Sequence, residues 1–295
     1  MTQKGEISIM DNSDLANRMK TFYEGIPKTK LMRRTPVIIR IDGKAFHTFT
    51  RGFKRPFDEI LIKTMQETTK YLCENIQGCV LGYTQSDEIS LVLVDYQRFE
   101  TSAWFDYEIQ KMCSIAASMA TMAFNKYSKE NAKEYANHIP YYGTIYPCDD
   151  KEQKYIDILN KAIEKGAMFD ARVFNIPKEE VTNCIYWRQL DASRNSIQMV
   201  GQANFSHKEL QNKSCNDIQD MLMEQKGINW NDFPTYQKRG TCVIKEEYYP
   251  EPVKGYENCE VNALDVRTRW VIDKDIPIFK GEGRNYIEKL VMVGE

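Results

Sequence analysis

The run Val37-Ile38-Ile39-Arg40-Ile41 constrains this chain more than any other stretch. Nearly continuous β-branched residues make a strand covered on both faces, so the fold must carry layers above and below it. The run stops at Asp42-Gly43, and the carboxyl end of the strand therefore presents an aspartate. Ile60, Leu61, Met65, Leu72 and Ile76 recur at helical spacing and predict a crossover helix over 58–76, closed by Gly78. Cys79–Tyr83 and Ile89–Val94 read as two strands, and the polar span Thr84–Glu88 between them is short enough for a hairpin. Residues 101–127 read as a long helix with an apolar face of Ile109, Met112, Ile115, Ala116, Met119, Ala120 and Ala123; Phe169–Ile176 reads as a further strand. The order is βαββαβ, the ferredoxin-like split βαβ unit of an α+β fold.

Around this unit the signals are weaker. Residues 11–30 read as a helix, with Asn12-Ser13-Asp14 as caps, followed by a loop. Helical segments over 181–205 and 217–226 lead to a β-rich end with runs at Thr241–Ile244 and Trp270–Ile272. Ser206 and Glu209 have the spacing of a capping box. Pro177 is the expected boundary between a catalytic domain over 1–177 and a helical and β-rich accessory region over 178–295.

Composition narrows the chemistry. A formal net charge of −2 supplies no global attraction for a polyanion, so any nucleic acid must be held by local basic patches and metal ions. Cys73, Cys79, Cys113, Cys148, Cys184, Cys215, Cys242 and Cys259 form no C-x-x-C pair, and His47, His138 and His207 are scattered, which argues against a structural zinc site. The N-terminal Met-Thr-Gln-Lys-Gly-Glu lacks a signal-peptide core, and no stretch approaches the ~20 apolar residues of a membrane span, so a cytoplasmic setting is expected.

Pairing of the first strand with the hairpin would bring Asp42 and Asp87 together, with Glu88 as a third carboxylate. Magnesium takes one or two carboxylates plus substrate phosphates, and two such ions suit an in-line phosphoryl displacement. Each motif alone reads more readily as a turn than as a site, since Asp-Gly and Ser-Asp-Glu are ordinary loop chemistry, and it is their combination that favours a site. The backbone of Gly43-Lys44-Ala45-Phe46-His47 could line a phosphate, which favours a nucleotide site. Lys44, Lys54, Arg55, Lys111, Arg188, Arg194, Lys208, Lys238 and Arg239 could contact phosphates or RNA. Lys44, Lys111 and Arg188 are favoured because they lie in or beside the motifs described below, and in a chain with 40 Lys and Arg most of the others, Arg194 included, stay near background. Trp187 is either a base-stacking ring or a packing anchor.

Arg40–Phe49, Gly82–Ser90, Phe169–Val173 and Trp187-Arg188-Gln189-x-Asp191 together resemble the motifs of the tRNA-His guanylyltransferase family and its bacterial and archaeal guanylyltransferase-like members; Lys238–Thr241 looks like the late basic segment of that family. The resemblance covers roughly residues 33–245, in family order. It implies a polymerase-like palm working in the 3′-to-5′ direction, with two magnesium ions on Asp42, the Gly43 carbonyl and Asp87. It also implies that Gly43–His47 and Ser86 hold a nucleoside triphosphate, that GTP, ATP and tRNA are substrates, and that the protein is a tetramer. On that pattern the RNA 5′ end is first activated, and the 3′-hydroxyl of the incoming nucleotide then displaces the leaving group. Ser193–Met199 replaces the His-Ile-Asn-Asn-Leu-Tyr-Asn stretch of enzymes acting on tRNA-His. This departure resembles the branch that restores missing nucleotides at tRNA 5′ ends by template pairing. Fixed guanosine addition, a nucleotidyl cyclase and a non-catalytic RNA-binding module are the competing expectations; the last lacks the exposed strand aromatics of RNA recognition motifs.

Overall fold

A computed structural model describes residues 14–138, 150–248 and 266–294. The Asn12-Ser13 cap, the first six residues, Cys148 and Cys259 lie outside the described residues. In chain order the elements are α1 (Asp14–Met19), β1 (Val37–Gly43), α2 (Phe46–Phe49), α3 (Glu59–Asn75), β2 (Cys79–Gln85), β3 (Glu88–Leu93), α4 (Ile109–His138), α5 (Asp150–Lys165) and β4 (Phe169–Asn175). They continue with α6 (Lys178–Asn204), α7 (His207–Leu210), α8 (Cys215–Lys226), α9 (Thr235–Arg239), β5 (Thr241–Tyr248), β6 (Arg267–Asp273) and α10 (Asn285–Val291).

The strands form one six-stranded sheet in the order β4-β1-β3-β2-β5-β6, with every neighbouring pair antiparallel. Both faces are covered, which is why the β1 run is continuous. Ile39 and Ile41 pack with Met65 and Leu72 of α3 and Met112, Ala116 and Phe124 of α4. Ile38 faces the opposite way, into a core with Val181 and Ile185 of α6 and Ile287 and Val291 of α10. Arg40 shares that second face, and its Nε is buried without a hydrogen-bond acceptor.

Several boundaries moved for local reasons. Beyond α1 the helix continues only as a π-helical turn to Glu24. Phe105 and Asp106 take left-handed backbone angles, so α4 starts at Ile109 and not at 101, and it runs on to His138. The hairpin is tighter than the polar span suggested, because β2 and β3 extend to Gln85 and Glu88. α5 was not foreseen: its buried stripe is only Tyr155, Leu159 and Ala162 among many charged residues. The capping box at Ser206 and Glu209 is formed.

The distal half of α6 carries a smaller core with α8, built from Ile197, Val200, Phe205, Ile218 and Leu222. A Cβ on Gly201 would stand 2.8 Å from Ile218, so glycine permits that approach. Among the described residues no helix is long and apolar enough to cross a membrane.

Candidate active site

The sheet register places the acidic residues. Asp42 at the end of β1 lies opposite Glu88 of β3 on one side and Asp170 of β4 on the other. Asp87 sits in the two-residue turn before Glu88, and the Gly43 amide donates to the Asp87 carbonyl oxygen at 3.1 Å. One backbone bond thus ties the Asp-Gly corner to the hairpin. Burial raises the proton affinity of the Asp87 carboxyl above the ordinary aspartate level, and the charges of Asp42 and Glu88 add to it; a 3.0 Å bond from the Ser86 hydroxyl and a backbone bond work the other way.

The loops around this pair are held in unusual conformations. Ala45 (φ 54°) and Ser86 (φ 50°) are left-handed without being glycine, a conformation that clusters at functional sites. A Cβ on Gly43 would lie 2.2 Å from the ring of Phe46. That ring is locked among Phe49, Phe124 and Phe169 at centroid distances of 5.1, 5.4 and 5.2 Å. Phe46 therefore contributes its backbone to the site and its side chain to the core. The first amides of α2 have no intrahelical acceptor by geometry.

A cleft of about 650 Å³ opens there, lined by Gly43, Ala45, Phe46, His47, Ser86 and Asp87 together with Arg51, Lys54 and Arg55. Of the sequence candidates in this stretch, Asp42 and Lys44 are not in the lining, and the Lys44 amide is taken by the Met168 carbonyl at 2.8 Å. Arg51 is not among the sequence candidates, and Lys54 and Arg55 stand there only among the unfavoured cations; the available signal was three cations directly after the phosphate-loop candidate. Lys54 is held at the rim between the rings of Tyr135 and Tyr155, 4.7 and 4.5 Å from their centroids. Buried Asp58 organises this rim, accepting from the Leu61 amide (2.9 Å), the Lys54 amide (2.9 Å) and the Tyr155 hydroxyl (2.6 Å).

Glu88 and Arg188 form a buried bidentate pair at 2.6 and 2.7 Å, and Arg188 also reaches Asp191 at 3.0 Å. Asp191 in turn holds Arg194. Arg188 thus binds α6 to the hairpin that carries Asp87. Trp187 is 53% exposed, and the guanidinium carbons of Arg40 and Arg188 lie 5.7 and 4.5 Å from its ring centroid. Lys111 is not brought to the cleft. It sits in the first turn of α4, pairs with Glu108 at 3.7 Å, and lies two residues from Cys113, whose thiol meets the backbone of Val173 opposite Ile39. Among the described residues no three or more His, Cys, Asp or Glu side chains converge as a metal cluster.

The family model for tRNAHis guanylyltransferase matches residues 16–177. A bacterial tRNA(His) guanylyltransferase-like protein solved in complex with ATP is 41% identical, with a TM-score of 0.73 over 94% of this chain and 98% of that one. A bacterial tRNA(His) guanylyltransferase-like protein in complex with GTP is 37% identical, with a TM-score of 0.71 over 95% and 100%. The tRNA(His) guanylyltransferase of Debaryomyces hansenii is 26% identical over 232 residues, covering 74% of this chain and 77% of that protein. With the family model spanning more than half of the residues and a full-length structural likeness at 41% identity, the chain belongs to the tRNA-His guanylyltransferase family and is a nucleotidyltransferase.

Proposed function

We propose that this protein is a template-dependent 3′-to-5′ nucleotidyltransferase that adds nucleotides to tRNA 5′ ends. The observation that carries this reading is the opening of Asp87, with the charge of Asp42 acting on it from the adjoining strand end, into a cleft lined by Gly43, Ala45, Phe46, His47 and Ser86. Likeness to proteins solved with ATP and with GTP supports a nucleoside triphosphate as the occupant. The sheet order β4-β1-β3-β2 with α3 and α4 on one face is the arrangement expected of a ferredoxin-like palm. We assign that palm to 1–177, with 178–295 supplying a wall of the cleft through Met199 and Gln202.

The residues fit divalent ions: among the described residues neither the Asp42 nor the Asp87 carboxylate makes a salt bridge, and Asp87 is partly buried and repelled by its acidic neighbours. Asp42, Asp87 and the Gly43 carbonyl would hold two magnesium ions, which when bound neutralise developing charge on attacking and leaving oxygens. The α2 amides and Arg51 and Arg55 bind the triphosphate. The 3′-hydroxyl of that nucleotide attacks the phosphorus of the activated RNA 5′ end, forming the phosphodiester as the activating group departs. Glu88, with both oxygens engaged by Arg188, positions the Asp87 turn. tRNA is the proposed RNA partner, and tetrameric assembly in the cytoplasm is part of the same reading.

An addition assay comparing intact with 5′-truncated tRNA across all four triphosphates tests this. Repair predicts that each added nucleotide complements the opposing strand. Guanosine alone, whatever the template, would instead establish fixed tRNA-His guanylylation, and cyclic nucleotide without RNA extension would establish a cyclase.

A further inference from the structure

A second cavity, of about 250 Å³, shares no residue with the catalytic cleft. It lies on the flank of α6 that faces Pro277 and Phe279, where Gln189 donates to the Pro277 carbonyl (2.8 Å) and accepts from the Phe279 amide (3.0 Å). Its lining includes Tyr186 and Ser193 of α6, Trp230, and the consecutive cations Lys238 and Arg239.

Among the described residues neither of these cations is neutralised by a direct ion pair, although Asp232 and Asp275 act on Lys238 from a distance. The Arg239 Nε is buried with no hydrogen-bond acceptor. A buried guanidinium nitrogen without an acceptor is costly, and an anion is the ligand that removes the cost. The backbone holds Arg239 in place, because its carbonyl accepts from the Tyr83 hydroxyl at 2.7 Å and the next residue, Gly240, has φ 84°. A side chain at 240 would meet the Thr84 carbonyl at 2.6 Å, so this turn is built for glycine. Burial, followed by repulsion from Arg239, lowers the proton affinity of Lys238 against the pull of Asp232 and Asp275, and its ammonium donates to the Asn231 carbonyl oxygen. Its ammonium lies 5.7 Å from the Trp230 ring centroid.

We infer that the Tyr186–Lys238–Arg239 cavity is a phosphate-binding site separate from the catalytic cleft. The space suits one phosphate and part of a sugar, and a phosphodiester of the RNA substrate is the first source; in naming RNA, this inference rests on the proposed function. A free nucleotide is the second source, since its phosphate offers the same chemistry.

The test combines two binding measurements on the full chain. Anisotropy of a labelled 5′-truncated tRNA is followed across a salt series, and GTP stoichiometry is followed by equilibrium dialysis. Lys238→Gln, Arg239→Gln and Tyr186→Phe are compared with wild type and with Lys129→Gln, a control on the exposed side of α4. An RNA phosphate in the cavity predicts several-fold weaker tRNA binding and a salt slope reduced by about one in either cation variant. A free nucleotide predicts an unchanged slope and the loss of one bound GTP. Unchanged slope and stoichiometry in all three variants overturn the site, and if Arg239→Gln does not fold, Lys238→Gln and Tyr186→Phe decide. A wild-type protein that binds neither ligand would sink this site and the proposed function together, whereas intact variants alone sink only the site.

Discussion

Single side chains carry the steepest consequences around Asp87. Its proton affinity is raised in the fold, so between the ordinary aspartate value and the raised one the folded chain binds more protons than the unfolded chain, and stability falls as pH rises through that window. Asp87→Asn removes this penalty. In a chelator the variant should unfold about 2 °C above wild type at neutral pH, the shift expected of roughly 1 kcal/mol, and the gap should close in acid. Equal midpoints at both pH values would contradict the electrostatic account. Arg188→Ala removes both hydrogen bonds to the buried Glu88 carboxylate and leaves, among the described residues, only the Arg40 Nε, 3.9 Å away, as its counter-charge; it should cost about 3 kcal/mol in urea unfolding. A cost below about 1 kcal/mol would show the pair to be solvent-screened. Arg188 also shows where sequence stops being informative: its motif marks it as important, but whether it faces RNA or a buried carboxylate depends on a partner a hundred positions away.

At the scale of elements, the rim of the cleft depends on α5 through Asp58. Asp58 caps α3, fixes the Lys54 amide and accepts from Tyr155, so Asp58→Ala should destabilise by about 1–3 kcal/mol and weaken triphosphate binding. Tyr155→Phe, which keeps the ring against Lys54, should retain most of that binding in a titration with a fluorescent nucleotide. Equal losses in the two variants would locate the effect in the hydroxyl and not in the cap. The strands and α3 were legible because burial on both faces writes a continuous apolar run and helical spacing writes a stripe. α5 was not, since three buried residues among charges leave little periodic signal. The left-handed turn before α4 was equally hidden: Asp106 tolerates positive φ, but Phe105 and Tyr107 on either side of it do not advertise that conformation.

For the molecule as a whole, the register decides what composition leaves open. A chain of net charge −2 has no global pull on RNA, yet the sheet gathers Asp42 and Asp87 at one end and the rim gathers Arg51 and Arg55 beside them. The acid pair was readable from two motifs and their expected strand pairing. The cations of the rim were not, because loop residues show no periodicity that says which way they point. The most direct measurement is single-turnover addition of labelled nucleotide to a 5′-truncated tRNA by wild type, Asp42→Asn and Asp87→Asn, each first shown to be folded. The account predicts template-matched extension by wild type and a loss of about 10³-fold or more in either variant; extension at near wild-type rate by either would contradict it.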